Sequence, residues 1–326
     1  MKIQKLLMIA LAATTFAACS NDDEEPTPQQ PAQTTRPLTI SVTENPFVDP
    51  DGNPTTRGAI TTTGTLSAFK MDYVYELGEE RPTNGTALTA TKGVGNTWTT
   101  DATWPTAIDY GDKTVDWYAY TGSETVFHTG GTKSGDYISF TVDETIADQN
   151  DLLVATAGGT YDGTGGRLSF TFDHACAALR FYMKKAKNIS GYTLTVTEVK
   201  LRNIVKEGNY YFDSQSWTLG STPAYYTLFA GTQALNDVDY VALDTSAKPY
   251  LFLIPQTLTE WNGTGSPANT YLEITCTIRQ GDDTVFDNGT AYIPFGYTLE
   301  KGTQYDVNIN IGKNSLYKND GTKVIP

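Results

Sequence analysis

The side chains that could do chemistry are few and scattered. The two histidines, His128 and His174, sit in unrelated contexts without the His-Cys or His-Glu spacing that holds zinc. His174 falls inside the apolar run "FTFDHACAALRF", which favours a packed, hydrogen-bonded imidazole over a catalyst. Cys176 and Cys276 lie in apolar, strand-like stretches; an oxidising compartment permits a disulfide, but these settings favour buried free thiols. The stretch "DPDGN" (49–53) spaces Asp49, Asp51 and Asn53 like the start of a calcium loop. However, Gly52 is misplaced and no bidentate glutamate follows at loop spacing, so it reads as a turn. There is no Gly-x-Ser-x-Gly elbow, and the "GTGG" of 163–166 lacks the lysine and helix of a phosphate loop. No catalytic residue, metal site or cofactor is therefore expected. Trp98, Trp104, Trp117, Trp217 and Trp261 could line a glycan platform, although single aromatics in β-proteins usually fill cores.

Two positions remain. The first is the peptide bond between Arg57 and Gly58 in "NPTTRGAI" (53–60), because between Lys5 and Lys70 the only basic residues are Arg36 and Arg57. The connector "NPFVDPDGNPTTR" (45–57) carries three prolines and a glycine, so it should be exposed and extended, as a protease requires. The second is Cys19. The segment "MKIQKLLMIALAATTFAAC" (1–19) has Lys2 and Lys5, an apolar run and then small residues, the pattern of a secretory signal. Its "FAAC" ending resembles a bacterial lipobox, in which Cys19 would be diacylated on sulfur and become the new N-terminus. An ordinary cleavage site with an incidental cysteine is the alternative. Such a run is too short to span a bilayer stably, so the acyl chains would be the anchor.

These positions need a scaffold, and the sequence describes one. Charged residues are only 18% of the 326-residue chain, while Thr, Tyr, Gly and Val abound, which favours strands over helices. The net charge of −14 with no basic patch argues against nucleic-acid binding. Residues 20–37, "SNDDEEPTPQQPAQTTRP", cannot bury a core and read as a disordered tether. Their acidic run resembles an export signal for surface lipoproteins of anaerobic Gram-negative bacteria; a plain solvated linker is the other reading. From "PLTISVTE" (37–44) to "TQYDVNINIG" (303–312) strand-like segments recur between turn residues. Leu272, Ile274, Cys276 and Ile278 share one face, as do Tyr305, Val307, Ile309 and Ile311. The body is too long for one small sandwich, so two packed β-sandwiches are expected. The expected organisation is a signal peptide (1–18), a tether (19–36), an N-terminal sandwich (37–167) and a C-terminal sandwich (168–326). The boundary is drawn at "YDGTGGR" (161–167), with "KNISG" (187–191) as its rival, since the long strand between them could serve either domain.

Several stretches in order resemble the fimbrillin family, subunits of type V pili. They are the lipobox at Cys19, a first strand followed by "TTRGAI", then "DLLVA" (151–155), "LSFTFDHACAALRF" (168–181), "LFLIPQTLT" (251–259) and "LEKGTQYDVNINI" (299–311). The resemblance implies two tandem transthyretin-like β-sandwiches and export as a lipoprotein to the outer membrane surface. It also implies cleavage after Arg57 by an arginine-specific protease, and polymerisation with other fimbrillin subunits (homo- or heteropolymer) into an adhesive fimbria by strand donation. On that reading Leu38, Ile40 and Val42 plug a groove, and Tyr305, Val307, Ile309 and Ile311 of a neighbour refill it. Residues 19–57 carry seven acids and two arginines; once Lys2 and Lys5 have left with the signal, cleavage takes the net charge from −16 to −11. If strand 304–311 cannot swing out, the subunit is a tip or an anchor. A surface lipoprotein that binds glycans without being cleaved is the alternative function.

Overall fold

The computed structural model describes residues 38–55, 66–75, 87–102, 115–122, 125–129, 135–159, 167–243, 250–264, 267 and 269–325. Apart from short 3-10 turns, every regular element among them is a strand. The first group comprises β1 (Thr39–Glu44), β2 (Ala68–Tyr75), β3 (Leu88–Lys92), β4 (Trp98–Thr100), β5 (Val115–Tyr120), β6 (Val126–His128), β7 (Tyr137–Thr141), β8 (Leu153–Gly159) and β9 (Arg167–His174). There follow β10 (Ala177–Lys185), β11 (Tyr192–Val205), β12 (Glu207–Tyr211), β13 (Ser216–Leu219), β14 (Pro223–Leu235) and β15 (Val241–Ala242). The last are β16 (Leu251–Leu253), β17 (Thr257–Leu258), β18 (Tyr271–Gln280), β19 (Asp283–Pro294), β20 (Tyr297–Thr298) and β21 (Gln304–Ile311).

The first seven-stranded sheet has the order β1-β9-β8-β5-β2-β3-β4. Its two end strands, β1 and β4, approach each other, so the sheet curls round a core of Phe69, Met71, Trp117, Leu168, Phe170 and Phe172. β5 is buried on both faces. Trp117 and Ala119 enter that core, while Tyr118 and Tyr120 join a second cluster with Phe127, Ile138, Tyr210 and Phe252. Burial on both sides explains why "VDWYAY" loses the clean alternation of a half-exposed strand. The second cluster is shared with the sheet β13-β12-β7-β6, which takes two strands from before residue 167 and two from after it.

Apart from β17 and β20, which pair with each other, the remaining strands form a two-layer sandwich. β15-β10-β16, with β21 also on β10, faces β14-β11-β18-β19 across one core. Leu272, Ile274, Cys276 and Ile278 of β18 are all fully buried there, as their alternation predicts. The run 167–185, which reads as one long strand, is two. It breaks at Ala175 and Cys176, so that β9 serves the first sheet and β10 the sandwich. The corner keeps its backbone groups paired: Ala175 N donates to Leu152 O (2.8 Å), and Gly302 N donates to Cys176 O (2.9 Å). Trp217 Nε1 donates to Ala175 O at 2.9 Å.

Candidate functional site

Among the described residues, β1 is an edge strand with a single ladder partner. It runs parallel to β9, from Thr39 opposite Arg167 to Glu44 opposite Phe172. Alternation sends Leu38, Ile40 and Val42 towards the core of the curled sheet, with Ile40 buried and the other two half-buried. The other face is polar. Ser41 and Ser169 hydroxyls lie 2.8 Å apart, and those of Thr43 and Thr171 lie 3.0 Å apart. Asn45 ends the ladder by donating its N–H to Phe172 O (2.9 Å) and its Nδ2 to Asp173 Oδ1 (2.7 Å).

Beyond Pro46 the segment crosses to another part of the fold. Phe47, 2% exposed, stacks on His174 with ring centroids 3.6 Å apart. Val48 then lies against the start of β21: its N–H donates to Gly302 O (2.9 Å), and its carbonyl accepts from Gln304 N (2.8 Å). Residues 48–54 turn back in a small hairpin. The Asp49 carboxylate accepts from the N–H groups of Asp51 (3.0 Å) and Asn53 (2.8 Å), while Gly52 takes a φ of 82° that suits glycine. These bonds, Asn53's foremost, hold the Asp49 carboxyl below its ordinary value. The "DPDGN" stretch is thus a turn whose first carboxylate is already engaged. Thr55 closes the hairpin by donating both N–H and hydroxyl to Phe47 O. Arg57 and Gly58 follow two and three residues later and lie outside the described residues, as do Cys19 and Trp104.

His174 beneath Phe47 is buried and pairs through Nδ1 with the buried Asp151 carboxylate. Nearby Cys176 is a fully buried free thiol, pushed well above its ordinary value by burial and then by Asp151. A nucleophilic cysteine needs the opposite, a stabilised thiolate open to substrate, so this trio packs rather than catalyses. Cys276 is likewise buried and free, its pKa raised to about 12 by burial.

The second expected strand, β21, runs parallel to β10 from Gln304 opposite Ala178 to Ile311 opposite Lys185. Tyr305, Val307, Ile309 and Ile311 are all buried in the sandwich core, and Arg180 forks onto Asp306 at 2.8 and 2.6 Å on the outer side. The tail is held as well. Leu316, Val324 and Ile325 are buried, and Tyr317 pairs with Tyr292 of β19 through N–H···O bonds of 2.9 and 3.0 Å. The sequence marked the apolar positions of both strands but not Phe47, which follows a proline and whose stacked ring partners, His174 and Phe252, lie more than a hundred residues away. Trp117 and Trp261 are core residues, while Trp98 and Trp217 are half-buried.

A family profile described as fimbrillin-like matches residues 58–324. Among solved structures, a fimbrial protein from Bacteroides vulgatus is 20% identical, with 84% of this chain and 95% of that one covered at a TM-score of 0.50. A candidate cell adhesion protein from Bacteroides eggerthii is 16% identical, with 89% and 90% covered at a TM-score of 0.52. At such identity the likeness is one of fold. No curated protein matches the sequence.

Proposed function

The chain belongs to the fimbrillin-like family, and from that premise we propose that it is a structural subunit of a cell-surface fimbria, assembled by strand exchange and supporting adhesion. It is exported as a lipoprotein anchored in the outer membrane through Cys19, with residues 20–37 as its tether. An arginine-specific protease cuts between Arg57 and Gly58, releasing anchor, tether and β1 together. The slot on β9 then takes a strand from another subunit, alike or different, and the head-to-tail contact propagates as an open filament. Two tandem transthyretin-like sandwiches, the first closing with β9 and the second opening with β10 after the corner at Ala175 and Cys176, carry the slot and the donor strand respectively.

One observation carries this reading: β1 is an edge strand whose one ladder partner among the described residues is β9, yet its apolar side chains close the core of the first sheet. Its departure with the released segment withdraws Ile40 and Phe47 from the cores they fill, each worth about 1.5–3 kcal/mol when fully buried. That is a large share of the roughly 5–15 kcal/mol that holds a domain folded.

The donor side has a physical condition. Tyr305, Val307, Ile309 and Ile311 are already buried at home, so exchange trades one vacancy for another rather than adding four burials. What matters is how readily β21 leaves. Cleavage helps, because Val48 departs with the plug and takes away its backbone bonds to Gln304, the first residue of β21, and to Gly302 just before it. A subunit whose β21 stays docked accepts a donor without giving one and so ends the fibre.

Treating the full chain with an arginine-specific protease tests the proposal. A cut at Arg57 followed by ladders of SDS-resistant multimers is expected; a chain that stays monomeric after the cut would contradict polymerisation. The glycan-binding alternative draws on the half-buried row His128, Tyr137 and Tyr211, with ring centroids 4.7 and 5.2 Å apart. Polysaccharide binding by an uncleaved chain would favour it.

A further inference from the structure

The segment that fills the slot on β9 has a distinctive spacing. Its apolar side chains that join the two cores are Leu38, Ile40, Val42 and Phe47, so the second, third and fourth lie two, four and nine residues after the first. Any strand that replaces it in the same direction must present apolar side chains at those intervals, because a slip of one residue turns every side chain to the wrong face.

We infer that the replacement is residues 307–316 of a second copy, in one register: Val307 where Leu38 lay, Ile309 for Ile40, Ile311 for Val42 and Leu316 for Phe47. The inference rests on the strand-exchange reading above and fixes its partner and alignment. "LTISVTENPF" (38–47) and "VNINIGKNSL" (307–316) share all four apolar positions. They also share an asparagine: Asn314 falls on Asn45, whose amide ties Phe172 O and Asp173. Neighbouring registers fail. Starting two residues earlier, Tyr305, Val307 and Ile309 fit, but Asn314 enters the Phe47 site among aromatic rings, where its amide loses water. Starting two residues later puts Lys313 in the place of Val42 and Lys318 in the place of Phe47. Along 303–325, no other start satisfies all four positions.

Two further features agree. β21 already lies parallel to β10, as β1 lies parallel to β9, so the strand keeps its sense of pairing when it changes slots. Leu316 is fully buried at home, so it is held as an apolar anchor on the far side of a short polar spacer, just as Phe47 is.

A cysteine placed on β9 reads the register. Ser169 faces Ser41 with hydroxyls 2.8 Å apart, and Asn310 takes the place of Ser41 in the inferred alignment. The full chain carrying Ser169→Cys is cleaved by the arginine-specific protease, which also removes Cys19. It is then mixed with synthetic peptides of residues 304–318 bearing one cysteine at position 308, 310 or 312. The peptide with cysteine at 310 should form the disulfide at least tenfold faster than the other two. Changing its Leu316 to Asp should lower peptide uptake at least tenfold, and the uncleaved chain should take up none. Faster capture through 308 or 312 would overturn the register while leaving strand exchange standing. A cleaved chain that accepts no peptide would overturn both. Because the peptide supplies the donor, the outcome does not depend on β21 leaving its own subunit.

Discussion

Phe47→Ala gives the sharpest stability prediction. The side chain is 2% exposed, stacks on His174 at 3.6 Å between ring centroids and lies 6.3 Å from Phe252. Truncation removes a ring from a packed aromatic cluster, and such changes cost about 3–5 kcal/mol. Val48 and the hairpin to Thr55 hang on the same residue, so little rearrangement can fill the hole. Urea unfolding of the uncleaved chain, compared with wild type, should therefore show a loss of about 3–5 kcal/mol at unchanged slope. Phe47→Leu should cost less than about 1.5 kcal/mol, because it keeps an apolar side chain in the site. After cleavage at Arg57 and removal of the released segment, the Ala and wild-type proteins should unfold identically, since residue 47 has left. A loss below about 1 kcal/mol for Phe47→Ala in the uncleaved chain would refute the view that this residue anchors the plug.

Other expectations follow from the same geometry. Ser41→Cys with Ser169→Cys should form an internal disulfide, so that the protease still cuts but β1 stays and no multimer appears on a non-reducing gel; reduction should restore assembly. Asp49 is held below its ordinary value of 3.8, so the hairpin bonds it accepts are complete above that pH and are lost as pH falls through the lowered value. The amide resonances of Asp51 and Asn53 should thus move only below about pH 3.8 on those values, and Asp49→Asn should abolish the transition. Both Cys176 and Cys276 should resist thiol reagents at pH 8 in the uncleaved chain, since burial disfavours the thiolate. After cleavage Cys176, which shares a cluster with Phe47, should become reactive while Cys276 stays protected; equal reactivity before and after would contradict departure of the plug.

Much of the architecture was legible because alternation is a local signal. β18 and β21 place every other side chain in a core, and β1 does so well enough to mark Ile40. Where a strand is buried on both faces or changes sheets, the signal fades. The run 167–185 stays apolar through Ala175 and Cys176, so no turn residue announces the corner between β9 and β10. The long β14 went unread because its register shifts against β11 break the period, and its second half is largely exposed. Phe47 and Leu316 were invisible as anchors for a different reason. Each follows a polar spacer that interrupts the alternation of the strand before it, so no local period marks it as buried. Seen in three dimensions, they complete a pattern of which the sequence displayed only the first three positions.

Assembly by strand exchange requires that β1 be a stopper that leaves. Hydrogen exchange of the β9 amides from Leu168 to Phe172, measured on the intact chain, on the cleaved monomer and on the assembled form, tests this directly. The amides should be protected in the intact chain, exchange markedly faster once the segment ending at Arg57 has been removed, and regain protection on assembly. Unchanged protection after cleavage and removal would show that β9 never depended on β1, and the proposed slot would not exist.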